Sequence, residues 1–150
     1  MRDVNEFLQY SSEIYPDSIP LTAGNIDHLK DTFLDIDIQI EGDNFNTKIY
    51  HKVDDFNFEV VSFPFPTSNI SDHITYNSFY SQLVRYAIIC SKFEYFAARC
   101  KKLADSLVLR GYKKHRFKRN FEKFLANYYD VLRLKYDMEI MKRFSNTQFQ

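Results

Sequence analysis

Glycine is scarce, with three residues in 150, so a glycine-rich phosphate cradle, a collagen-like repeat or a flexible linker is not expected. Tryptophan is absent. The two cysteines, Cys90 and Cys100, cannot staple a framework in a chain of this size, and a reduced, intracellular setting is expected. No apolar run approaches the roughly 20 residues that a membrane-spanning helix needs. The N-terminal stretch carries Asp3 and Glu6 and has no apolar signal core. Neither membrane insertion nor secretion is therefore expected. His28, His51, His73 and His115 are scattered without zinc-ligand spacing. No serine sits in a Gly-x-Ser-x-Gly elbow, and no Cys–His pairing has a recognisable context. The chain reads poorly as a self-contained enzyme, and no cofactor or metal is expected.

What remains is ordinary in bulk and unusual in detail. The chain has 18.0 kDa of mass, 45% hydrophobic and 27% charged residues, enough for one folded domain over residues 1–150 with a single core. Aromatics reach 17%, with 15 Phe and 11 Tyr. The formal net charge is zero, but its distribution is lopsided. Residues 1–80 hold four basic and fourteen acidic side chains, a net of −10, and residues 81–150 hold sixteen basic and six acidic, a net of +10. Such a split arises either from halves that attract one another or from a basic lobe that meets a polyanion.

Two periodicities follow one another. Phe33 to Ile40 alternates strictly, with Leu34, Ile36, Ile38 and Ile40 on one side and Asp35, Asp37 and Gln39 on the other, the pattern of a half-buried strand. Glu41-Gly42-Asp43-Asn44 supplies a turn, and Phe45 to Tyr50 alternates again, which predicts a β-hairpin over 33–50. A third β-prone run, Phe58 to Phe63, is stopped by Pro64 and Pro66. The leader, residues 1–32, holds a short possible helix near Val4 to Glu13, followed by loop at Pro16 and Pro20. From Ser78 the period becomes helical. Phe79, Leu83, Tyr86, Ala87 and Cys90 form one stripe, and Phe93, Phe96, Ala97, Cys100, Leu103, Ala104 and Leu107 a second. Gly111 stands where a helix C′ residue turns left-handed. A third helix is predicted from about Lys114 to Arg143, with Phe117, Phe121, Phe124, Leu125, Tyr128 and Leu132 on one face. The expected class is α+β: a small antiparallel sheet in region 33–66, then a three-helix C-terminal bundle over 78–143.

The densest charge cluster runs from Arg110 to Lys123. Arg110, Lys113, Lys114, Arg116, Lys118, Arg119 and Lys123 are opposed there by Glu122 alone, with Tyr112 and His115 interleaved. On the third helix Lys114, Lys118 and Arg119 fall away from the Phe stripe. Basic side chains that displace condensed counterions suit a phosphate backbone, so Arg110, Lys113, Lys114, Arg116, Lys118 and Arg119 are the candidate contacts. Arg85, on an otherwise mostly apolar helix, is added as a further one. Asp54 and Asp55, with Asp35 or Asp37, invite a two-metal reading. Alternation puts Asp35 and Asp37 on the solvent side of an ordinary strand, so turn and surface acids are expected instead. An alternative function is a protein–protein module in which the acidic sheet face meets a basic partner.

One ordered series of short strings adds a resemblance. Ile14-Tyr15-Pro16 leads to Phe33-Leu34-Asp35, then Thr47-Lys48-Ile49-Tyr50-x-Lys52-x-Asp54-Asp55-Phe56-Asn57-Phe58. Phe63-Pro64-Phe65-Pro66, Ser68-Asn69-Ile70, Ser81-Gln82-Leu83-Val84-Arg85-Tyr86 and Leu109-x-Gly111-Tyr112 follow. Over residues 14–120 this order resembles the region C-terminal to the polymerase palm in reverse transcriptases of non-viral retroelements, Penelope-like and related retrotransposons. The resemblance implies a connection-and-thumb portion without catalytic or metal-binding residues of its own. It implies a grip on the template–primer duplex through its phosphates, by shape and backbone, and a palm-containing polymerase segment as partner. It also implies that Asp54 and Asp55 are not the palm's metal ligands.

Overall fold

The computed structural model describes Tyr10, Glu13, Ile14, residues 29–56, Phe58 and residues 62–149. The expected leader helix and its proline loop fall mainly outside the described residues. Tyr10, Glu13 and Ile14 are helical, and from residue 29 on three strands come first: β1 (Lys30–Phe33), β2 (Ile36–Glu41) and β3 (Asn44–Ile49). They form an antiparallel meander in the order β1-β2-β3. The β2–β3 register sets Ile36 against Ile49, Ile38 against Thr47 and Ile40 against Phe45. Cross-strand partners share a face, so the isoleucines line one side, as their alternation requires. Gly42 takes φ +60 at the first central position of the hairpin loop, where a left-handed residue matches the twist of the strands.

The predicted single strand from Phe33 to Ile40 is corrected by a second turn. Phe33 pairs with Ile36 across Leu34 and Asp35, and Leu34 sits at φ +54, a conformation that costs a non-glycine residue roughly 1–2 kcal/mol. The reversal lets β1 cover the backbone edge of β2, and that ladder offsets the strained turn. Leu34 consequently leaves the apolar row and is 78% exposed. The third β-prone run lies partly outside the described residues. Phe58, Ser62 and Phe63, which are described, belong to no strand.

After a 3₁₀ turn at Lys52–Asp55, five helices follow: α1 (Asp72–Ile89), α2 (Phe93–Leu109), α3 (Lys114–Asn127), α4 (Tyr129–Leu132) and α5 (Met138–Gln148). The arrangement is α+β, and four of the helices are long. Among the described residues no helix is long and apolar enough to cross a membrane. Phe79 and Leu83 of α1, Phe96, Cys100 and Leu107 of α2, and Phe117, Phe121 and Phe124 of α3 are wholly buried. The Phe96 and Phe124 rings stack at 6.0 Å between centroids, and Phe79 meets Phe117 at 4.8 Å. Burying one such ring contributes about 1.5–3 kcal/mol, so the aromatic stripes hold the bundle together.

α2 ends as the glycine predicts. Gly111 is at φ +97, Tyr112 N–H donates to Leu107 O at 3.1 Å, and Gly111 N–H donates to Val108 O at 2.9 Å, the two bonds of a Schellman cap. The predicted third helix, by contrast, is interrupted. α3 stops at Asn127, and the chain re-enters a long helix only at α5. The cause is tertiary. The Lys135 ammonium donates to Ala87 O and Ile88 O at 2.8 and 2.9 Å, and the Tyr136 hydroxyl donates to Cys90 O at 2.5 Å. These carbonyls close α1, have no helical partner of their own, and draw the chain out of helix to meet them. Asp137 then starts α5 by accepting from Glu139 N–H and Ile140 N–H.

The sheet is anchored by β3. Thr47 Oγ1 donates to Ile89 O at 2.5 Å, and Ser91 N–H donates to Thr47 O at 2.9 Å, while Ile49 is fully buried against the helices.

Candidate nucleic-acid interface

α3 is built on Phe117, Phe121 and Phe124, which are buried, and this stripe turns the basic side chains outward. The helix begins against its own electrostatics. Lys113 is the N-cap residue and gives no side-chain cap, and the first turn carries no acid while Lys114 and Arg116 stand in it. Cations at the positive end of a helix dipole cost about 0.3–1 kcal/mol each. What holds the start in place is packing: Lys113 N–H donates to the Tyr76 hydroxyl at 2.9 Å, and the Tyr76 ring lies 4.9 Å from that of Phe117. Lys114 and Lys118, like Arg119 and Lys123, are four residues apart, which spaces each pair by about 6 Å along the axis. A shallow concavity of about 430 Å³ is lined by His115, Arg116, Lys118, Arg119 and Glu122.

The seven predicted contacts separate into two groups. Lys113, Lys114, Lys118 and Arg119 are exposed or half-buried on one helix and have no ion-pair partner among the described residues. Lys123 joins them, its ammonium 5.6 Å from the Tyr80 ring. The other three are engaged within the fold. Arg85 pairs with Asp35 at 2.6 Å. Arg110 donates to Phe63 O at 3.0 Å and lies 5.9 Å from the Phe65 ring. Arg116 pairs with Asp72 and stacks 3.9 Å from the centroid of Tyr76. Asp72 carried no sequence signal as a partner, because it meets Arg116 only once α1 and α3 pack side by side.

The acids suspected of metal binding are engaged as well. Asp54 accepts from Arg99 and, at 2.5 Å, from Lys102. Burial raises its pKa, but the hydrogen bonds and charges of Lys102 and Arg99 outweigh that effect and hold it below the usual carboxylate range. Asp55 accepts from the Tyr50 hydroxyl, which raises the phenol's pKa. Among the described residues no three His, Cys, Asp or Glu side chains converge in a way that would hold a metal ion. On the sheet, Lys48 pairs with Asp37 at 3.6 Å and Lys92 with Glu41 at 3.0 Å. Cys90 and Cys100 are free and buried, and burial raises both thiol pKa values.

Comparison with known proteins places nothing beside this geometry: no protein-family model, no curated protein and no solved structure matches the chain.

Proposed function

We propose that the chain binds the sugar–phosphate backbone of nucleic acid through the outward face of α3, with Lys113, Lys114, Lys118, Arg119 and Lys123 as the contacts. One observation carries this reading. These five cations stand at the N-cap and around the exposed half of a single helix with no ion-pair partner among the described residues, although the fold supplies partners to Arg85, Lys92, Arg99, Lys102 and Arg116. A cationic cluster retained at the disfavoured end of a dipole is explained when an external anion completes it. The ordered motifs support a more specific version. In it, the chain is the non-catalytic, post-palm portion of a retroelement reverse transcriptase. It grips a template–primer duplex beside a palm-containing segment that performs the chemistry, inside the cell. The acidic sheet face is the weaker candidate for a docking surface, since Asp35, Asp37 and Glu41 already have cationic partners.

Backbone binding is blind to sequence. Two RNA–DNA duplexes of equal length and unrelated sequence, measured by fluorescence anisotropy, are expected to bind with the same affinity within about twofold. Absence of binding, or a strong preference for one sequence, contradicts the proposal. The chain alone is expected to extend no primer with Mg²⁺ or Mn²⁺.

A further inference from the structure

A second concavity shares none of its lining with the α3 face. It is a cleft of about 610 Å³ between α1, α2 and the 3₁₀ turn, within the roughly 300–1,000 Å³ of small-molecule sites. Its floor is a polar stripe on α1, Ser78, Gln82 and Tyr86, spaced four residues apart, so the three side chains lie one above the other. Tyr86 is only 6% exposed, yet its hydroxyl, like the side chains of Gln82 and Ser78, has no hydrogen-bond partner among the described residues. That hydroxyl lines the cleft and is open to whatever enters it. Burial pushes the Tyr86 pKa up to about 12, so at neutral pH it remains a proton donor.

The remaining walls are of two kinds. Phe56 and Leu103 are apolar surfaces of the cleft, and the Phe56 ring stacks on that of Phe58 at 5.1 Å and 16°. At the rim, Asp54 accepts from both Arg99 and Lys102, Arg110 adds a further guanidinium to the lining, and the Lys102 side chain is 64% exposed. A purely apolar ligand would leave the floor unsatisfied. Free phosphate would leave the aromatic wall uncovered. A planar ring with hydrogen-bonding edges and an anionic arm meets all three walls.

We propose that this cleft binds a single unpaired nucleotide, with the base against Phe56 and Leu103, its edge hydrogen-bonded to Tyr86, Gln82 and Ser78, and its phosphate at Lys102. Aromatic walls accept any base face, and the floor reads the base edge. The site is separate from the α3 face and does not depend on it.

The test is a calorimetric titration of the full chain with adenosine, guanosine, cytidine and uridine 5′-monophosphates, and with ribose 5-phosphate and inorganic phosphate as base-free probes. At least one nucleotide is expected to saturate a single site and to bind at least tenfold tighter than ribose 5-phosphate. Tyr86→Phe, which keeps the ring and removes the hydroxyl, is expected to weaken that nucleotide roughly fivefold. Gln82→Leu provides an independent loss of similar size, and thermal melting of both variants shows that they fold. No saturable nucleotide binding, equal affinity for ribose 5-phosphate, or affinity untouched by both variants overturns the proposal. So does nucleotide binding that disappears in Lys118→Ala/Arg119→Ala and survives Tyr86→Phe, which would put the ligand on α3. Duplex binding by the same wild-type sample is read separately, so a failure of the cleft is told apart from a failure of the backbone-binding face.

Discussion

Arg85, Lys92, Arg99, Lys102 and Arg116 each reach a carboxylate from the first half of the chain, at Asp35, Glu41, Asp54 and Asp72. Lys113, Lys114, Lys118, Arg119 and Lys123 reach none among the described residues. Both sets come from the same basic half of the sequence. The first forms a seam that ties the sheet and the 3₁₀ turn to α1 and α2, and α1 to α3. The second faces solvent from a helix whose core side is aromatic. The opposed charges of the two halves thus have two physical meanings at once: part of the split is internal complementarity, and part is left over for a partner. Position in the fold, not charge density in the sequence, decides which cation has which role.

If that division is right, the two sets respond differently to substitution. The largest effect is expected on the open face. Lys114→Ala/Lys118→Ala/Arg119→Ala should lower duplex affinity roughly a hundredfold, at about 1 kcal/mol for each charged group removed, with thermal stability unchanged or slightly raised. Equal affinity for the variant would erase the distinction. On the seam, Asp54→Asn should cost about 1–2 kcal/mol of stability in urea unfolding at pH 7, because Arg99 and Lys102 then share no counter-charge. The folded pKa of Asp54 is depressed, so the stabilisation it gives is present above the unfolded value of about 3.9 and is lost as pH falls through the lower folded value. Wild type and variant should therefore converge in acid.

Arg116 sharpens the boundary, since it lies beside both sets. Arg116→Ala should cost about 0.5–1 kcal/mol through loss of Asp72 pairing and of the stack on Tyr76, while the salt dependence of duplex binding stays as it was. The smallest effect reverses the usual sign. Lys114→Glu puts an acid in the first turn of α3 and should raise stability by about 0.3–1 kcal/mol, seen as a modest rise in Tm, while weakening duplex binding. A stability gain coupled to weaker binding would show that the helix start is kept basic for something other than folding.

The helical half was legible because its period coincides with its core. The spacings Phe79-Leu83-Tyr86, Phe96-Cys100-Leu107 and Phe117-Phe121-Phe124 predict the buried stripes, all of which are buried, and Gly111 predicts the left-handed end of α2. The turn at Leu34 was not legible, because a leucine at φ +54 announces nothing and the alternation runs on through it. The break after α3 was hidden for a similar reason. Leu125, Tyr128 and Leu132 continue the stripe, and only the carbonyls at the end of α1 draw Lys135 and Tyr136 away. Asp137 before Met138-Glu139 was the one local sign of a new helix start. The α1 helix begins at Asp72, six residues ahead of the predicted Ser78, because its first residues pack Thr75 and Tyr76 against Tyr112 and Phe117. At the interface, sequence marked the basic cluster as a whole. Which members stay open was fixed by partners from distant positions, Asp72 for Arg116 and the Phe63 carbonyl for Arg110. Ser78 and Gln82 stand beside the apolar stripe of α1 and Tyr86 belongs to it, so the polar floor of the cleft was not legible from the period.

The backbone-binding account is tested most directly by measuring the affinity of the wild-type chain for an RNA–DNA duplex across a tenfold range of monovalent salt. Four or five neutralised phosphates predict that log K falls against log salt with a slope of roughly −3.5 to −4.5, reduced by about 1 for each of Lys114, Lys118 and Arg119 replaced by alanine. A flat salt dependence, or a slope that the α3 substitutions leave untouched, would contradict it.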